Sequence, residues 1–219
     1  MCGRYSITTA PEAMRRLFKF KNDTPNLRPN HNCAPTQSLP VIRLDEDGDR
    51  ELVTLKWGLI PFWAKDAKIA YSTINARAET VAEKPAFRAA FKKRRCLIPA
   101  DGFYEWQPGE KKQPYRITMK DGEPFAMAGL WERWDKGEEP LESFTIIVTS
   151  GNSLMKPIHD RMPVILDPDT WDHWLTATDT AIPLALLQSY SAKKMAAYKV
   201  STRVNSPKNN DATVLDPVT

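Results

Sequence analysis

Apolar residues in this 219-residue chain fall into short alternating or continuous runs, with turn-forming residues between them. LPVIRL (39–44) and ELVTLKW (51–57) flank DEDGDR, the pattern of a β-hairpin. The same reasoning predicts strands at RCLIP (95–99), FYEW (103–106), PYRITM (114–119), FAMAGLW (125–131), SFTIIVT (143–149), MPVIL (162–166) and YKVSTRV (198–204). Helical spacing is scarcer. It joins Ala13, Met14, Leu17 and Phe18 behind a capping-box spacing from Thr9 to Glu12. It recurs at Phe87, Ala90 and Phe91, and short helices are predicted at PDTWDHWL and AIPLALLQ. Residues 21–37, rich in Pro and Asn, read as a long irregular loop. Many strands with few intervening helices predict an α+β fold: a barrel-like, mostly antiparallel sheet core flanked by short helices. With no repeat, low-complexity tract or linker, one domain is expected over residues 1–219.

Hydrophobic residues at 42% and charged residues at 26% describe a globular protein with a real core. No apolar run approaches the roughly 18 residues of a membrane span. No leader pattern is read either, so a cytoplasmic protein is expected. The net charge of +4 is a mild bias toward anionic partners. Cys2, Cys33 and Cys96 are odd in number and widely spaced, which suits free thiols in a reducing compartment. His31 and Cys33 with Cys2 and Cys96 form a conceivable zinc set, but no pair has the two-residue separation of a knuckle or finger. Neither a metal nor a cofactor is expected.

Besides the Cys2 start, four stretches are unusual for a purely structural chain, WGLIPFW (57–63) among them. Cys2 follows Met1 directly, and trimming of Met1 would leave an α-amine and a thiol on adjacent carbons. STINARAET (72–80) gathers Asn75, Arg77 and Glu79. In ADGFYEWQ (100–107), alternation sends Glu105 to the opposite face from Tyr104 and Trp106. GNSLMKPIHDRMP (151–163) carries His159, Asp160 and Arg161 before a strand. Each has a plainer reading: a turn Asn, a solvent-face Glu paired with Lys112, an exposed turn His. Trp57, Phe62 and Trp63 in WGLIPFW read most simply as core. The cations Arg88, Lys92, Lys93, Arg94 and Arg95 read either as a solvated helix face or as a phosphate-tracking patch beside aromatics.

MCGR at the start, NCAPTQ (32–37), WGLIPFW, INARAET (74–80), CLIPADGFYEW (96–106) and IHDRMPVIL (158–166) together resemble the SOS-response-associated peptidase family, in that family's order. VSTRVNSPKNND (200–211) resembles its C-terminal segment. The resemblance implies a compact α+β fold and abasic-site processing: an exposed N-terminal cysteine bonds covalently to an abasic deoxyribose in single-stranded DNA. It implies Cys2 as nucleophile, with Asn75, Glu105 and His159 around it. Arg4, Arg77 and Arg161 would then hold phosphates, Pro35 and Trp63 would pack against neighbouring nucleotides, and Thr149 would be a further contact. The protein is expected to act as a monomer on DNA carrying an abasic site. Two other readings stay open: a cysteine peptidase, acting on its own Met1 or on other proteins, and a non-catalytic single-strand binder.

Overall fold

The computed structural model describes residues 2–23 and 26–219. Met1, and Thr24 and Pro25 of the expected loop, lie outside the described residues. In chain order the first elements are β1 (Tyr5–Ile7), α1 (Pro11–Phe18), β2 (Asn30–Cys33), β3 (Ser38–Leu44), β4 (Arg50–Trp57), β5 (Asn75–Arg77) and α2 (Arg88–Lys93). Then come β6 (Arg95–Ala100), β7 (Gly102–Gln107), β8 (Gln113–Met119), β9 (Phe125–Trp134) and β10 (Leu141–Ser150). The chain closes with β11 (Arg161–Pro163), β12 (Ile165–Leu166), α3 (Trp171–Thr176), α4 (Ala181–Ala185) and β13 (Met195–Lys199).

Five strands form a closed ring: β10 pairs with β4, β4 with β3, β3 with β6, β6 with β9, and β9 again with β10. Closure removes free sheet edges and surrounds an apolar interior. It also explains why the first six residues of β9 and all of β6 are buried, since strands covered on both faces read as continuous apolar runs. Gly129 of β9 lets β6 approach: a Cβ there would sit 2.5 Å from Ile98 Cδ1. β5 and β11 flank β10, β5 in parallel, and a second sheet runs β13-β8-β7-β1-β2. The α+β architecture around a barrel is therefore as the strand pattern predicts.

Several local expectations fail for identifiable reasons. Pro11 takes the first helical position, so Ala10 rather than Thr9 is the N-cap of α1 and no side chain caps it. The loop at 21–37 contains β2, because NHNC pairs with β1 despite its polarity. MPVIL divides into β11 and β12, which join different neighbours. The last strand ends at Lys199, and Thr202–Asn205 turns into a 3-10 segment instead of continuing it. Among the described residues, no helix is long and apolar enough to cross a membrane.

The cationic run also divides. Arg95 is 5% exposed and donates to the carbonyls of Trp174 (2.5 Å), Phe91 (2.6 Å), Lys92 (3.1 Å) and Ala177. It thus satisfies the open C-terminal carbonyls of α2 and α3 together. Arg95→Met should lower the free energy of unfolding by about 3 kcal/mol, since charged hydrogen bonds are lost and buried acceptors stranded. Urea titration should show a lower midpoint with an unchanged slope.

Candidate functional site

The site forms around His159, which follows β10 and faces Glu105 of β7 in the second sheet, near β5, the strand that flanks the ring. Gly58, at φ +121°, turns the chain out of β4 so closely that a Cβ there would lie 2.6 Å from the Ala70 carbonyl oxygen. Trp57, buried between Tyr5 and Phe144, donates to the Ile74 carbonyl at 2.9 Å. These contacts set β5 beside β10, with Asn75 opposite Ile146. The Asn75 amide donates to Ile74 O (3.0 Å) and reaches Ile146 O (3.5 Å). Its Oδ1 has no hydrogen-bond partner among the described residues. Asn75 therefore presents an acceptor, suited to a donor such as an amine.

β7 supplies Glu105. Tyr104 and Trp106 do project to the opposite face, where Tyr104 packs with Val200 and Val204 and donates to His31 O at 2.7 Å. The solvent-face pairing with Lys112 is overturned: Glu105 is 2% exposed. Burial pushes its carboxyl up to about 8, so it holds its proton at neutral pH. His159 Nε2 lies 3.9 Å from Glu105 Oε2. The Arg161 backbone N–H donates to His159 Nδ1 at 3.0 Å, an Asp160 carboxylate oxygen lies 3.0 Å from the same nitrogen, and Nε2 faces Glu105. Burial lowers the His159 pKa and favours its neutral form, while the nearby Asp160 carboxylate opposes it.

In the chain that retains Met1, Cys2 is 0% exposed. Antiparallel pairing of Tyr5 with Phe103 carries Cys2 toward Glu105, whose charge is among those acting on it. Burial holds its thiol well above the usual range. All three cysteines are free and buried, and among the described residues no three of His, Cys, Asp and Glu are grouped to hold a metal.

Two openings reach His159, and the second of them also reaches Glu105. A cleft of ≈ 700 Å³ is lined by Asn75, Arg77, Lys84, Val148, His159 and Arg161, among others. A second hollow of ≈ 530 Å³ is lined by Glu105, Trp106, Lys112, His159 and Asn205. A separate ≈ 300 Å³ cavity at the start of α1 includes none of Cys2, Asn75, Glu105 and His159. Arg77 is exposed in the cleft, and Arg161 is paired with Glu79. Arg4 is turned inward, its Nη1 donating to Asn32 Oδ1 (2.8 Å) and Val204 O (2.6 Å). Thr149 is 7% exposed and bonds Leu187 O at 3.4 Å, so its neighbour Val148 is the β10 residue that lines the cleft. Pro35 is half-buried. Trp63 and Phe62 are 42% and 51% exposed, against the plain reading of both as core.

Sequence reasoning missed Asn205 at the second opening. Nothing in VSTRVN signals that Asn205 Oδ1 accepts from Trp106 Nε1 at 2.7 Å.

A family model described as SOS response associated peptidase (SRAP) matches residues 1–207, and the chain belongs to that family. Among curated relatives, "abasic site processing protein YoaM" of Bacillus subtilis is 46% identical, covering 99% of this chain and 98% of its own length. "Abasic site processing protein HMCES" of Xenopus tropicalis is 33% identical, covering 96% of this chain and 76% of its own. A crystal structure of a Bacteroides thetaiotaomicron protein superposes with a TM-score of 0.90 at 32% identity, covering 100% of both chains.

The Glu105 carboxyl gives a test of the site's electrostatics. Its folded pKa lies above its unfolded value, so its contribution to stability is fully present below the unfolded pKa and falls as pH rises to about 8. Glu105→Gln removes that loss. In paired urea titrations from acid to alkaline pH, the variant should gain on the parent until about pH 8 and then level off. A gap that stays constant with pH would mean that the carboxyl is not held protonated.

Proposed function

We propose that this protein processes abasic sites in single-stranded DNA by forming a covalent thiazolidine crosslink through Cys2 after Met1 is removed. Abasic-site processing is the activity named for relatives that span nearly the whole chain. The observation that carries the finer reading is the placement of Cys2 beside a carboxyl held protonated to about 8.

An abasic sugar rests mainly as a closed hemiacetal. Ring opening and attack on the aldehyde both need a proton delivered to oxygen, and at neutral pH the Glu105 carboxyl is the donor, with His159 Nε2 facing it. The Cys2 α-amine, ordinarily near 7.7 and so partly neutral, adds to the aldehyde carbon. Asn75 Oδ1 is an acceptor suited to orienting that amine. Glu105 then protonates the hydroxyl of the adduct, which leaves as water and gives a protonated imine. The thiol, held neutral by burial, must lose a proton as its sulfur bonds to the same carbon, and the Glu105 carboxylate just formed accepts it. That proton leaves Glu105 neutral again, and the nitrogen, which has kept its own hydrogen, loses its positive charge as the five-membered ring closes. Overall one C–N and one C–S bond form and one water departs. A group that first gives and then takes a proton works best with a pKa near ambient pH.

A thiol pushed upward is the reverse of the activated thiolate of a cysteine hydrolase, which favours crosslinking over the general-peptidase reading. In the cleft, Arg77 and Arg161 are the cations offered to phosphates, with Trp63 and Pro35 offered to the flanking nucleotides; Arg4 acts as an internal anchor. We take the working form to be a monomer.

Glu105→Gln should slow crosslinking by about 10²–10⁴-fold with little change in DNA affinity, read on denaturing and native gels. A parental rate would reject the proton-transfer role. An uncleavable residue placed before Cys2 should abolish the crosslink and spare DNA binding, because an amide nitrogen cannot form an imine.

A further inference from the structure

We propose that the groove along α2 is a second DNA site that receives the phosphodiester backbone of the strand as it leaves the cleft, with Phe62 and Trp63 as a platform for its bases. This rests on the DNA reading above. The groove has a volume of ≈ 470 Å³ and is lined by Phe62, Arg88, Lys92, Lys93, Arg94 and Glu132, with Ala89.

Its charge is not what a solvated helix face carries. Glu132, the carboxylate of the lining, is 4% exposed, and its oxygens accept from Arg94 Nη2 (2.6 Å) and the Arg133 N–H (3.0 Å). That ion pair forms the floor. Arg88, Lys92 and Lys93 stand exposed above it, and among the described residues none has a carboxylate at ion-pair distance. RAAFKK contains no acidic residue to balance them, whereas a salt-bridged surface helix would place one a turn away. The occupant is therefore an anion with repeating charge.

Continuity with the cleft selects nucleic acid among such anions. Lys84 and Phe87 line the cleft and Arg88 lines the groove, so one short segment borders both. The Trp63 indole N–H donates to Pro85 O at 3.2 Å, and Lys136 Nζ donates to Trp63 O at 2.9 Å. These bonds pin the aromatic platform to the wall between the two depressions. Exposed rings among unpaired cations are the combination that binds single strands, by stacking and by counterion release.

The test is Arg88→Gln/Lys92→Gln/Lys93→Gln, three exposed sites whose change should leave thermal stability unaltered. Binding is measured against salt with undamaged single strands, so the result is independent of crosslinking. One strand has about four nucleotides, the low end for a single-strand groove; the others extend it on one side or the other. For a strand extended on one side only, the variant should show a slope of log K against log salt smaller by about 2, or 0.7 per phosphate contact. The shortest strand, and its crosslinking rate when it carries an abasic site, should match the parent. Equal slopes for parent and variant on every strand would overturn the proposal. So would unchanged DNA slopes together with loss of binding to a glutamate-rich peptide, which would assign the groove to an acidic protein segment. Failure of the parent to crosslink any abasic strand would reject the thiazolidine reading while leaving the slope comparison intact.

Discussion

Keeping a carboxyl inside the protein is the constraint on which the rest of the site depends. Glu105 is carried inward by β7, whose other face is held by Tyr104 and Trp106 under the C-terminal segment. Withdrawing an acid from water favours its neutral form, and the same burial that costs stability at alkaline pH supplies a proton donor at neutral pH. Both adjacent layers are needed. β5, paired to β10 of the ring, brings Asn75, and β1, paired to β7, brings Cys2.

The two ends of the chain are fastened together around this point. Asn32 donates to the carbonyls of Val204, Ser206 and Asn209 at 3.2, 3.0 and 2.8 Å. Arg4, two residues from Cys2, donates to the same Val204 carbonyl at 2.6 Å. Guanidinium and amide groups thus fix the segment that presents Cys2, while the cations of the cleft remain on other elements. Holding reacting groups in place in this way lowers the entropic cost of bringing amine and aldehyde together.

The ring strands were legible because they are apolar on both faces: SFTIIVT and FAMAGLW leave no alternative to the interior. Polar β2 was hidden, since its strand character comes from its partner β1 rather than from NHNC itself. Alternation correctly turned Glu105 away from Tyr104 and Trp106. It could not show what covers Glu105, because that cover comes from elements distant in sequence. The family resemblance named Cys2, Asn75, Glu105 and His159, and the structure brings Glu105 and His159 within 3.9 Å. The cations assigned to DNA, whether by the resemblance or by the charge run, divided by burial: Arg4 and Arg95 are structural donors, while Arg77, Arg88, Lys92 and Lys93 face solvent.

The most direct test is the intact mass of the protein after reaction with single-stranded DNA carrying one abasic site. A thiazolidine on Cys2 requires the mass of the chain without Met1, plus that of the DNA, minus one water. It also requires that borohydride leave this mass unchanged, because the ring holds no imine. An adduct that retains Met1, keeps the water, or gains two hydrogens on reduction would contradict the account.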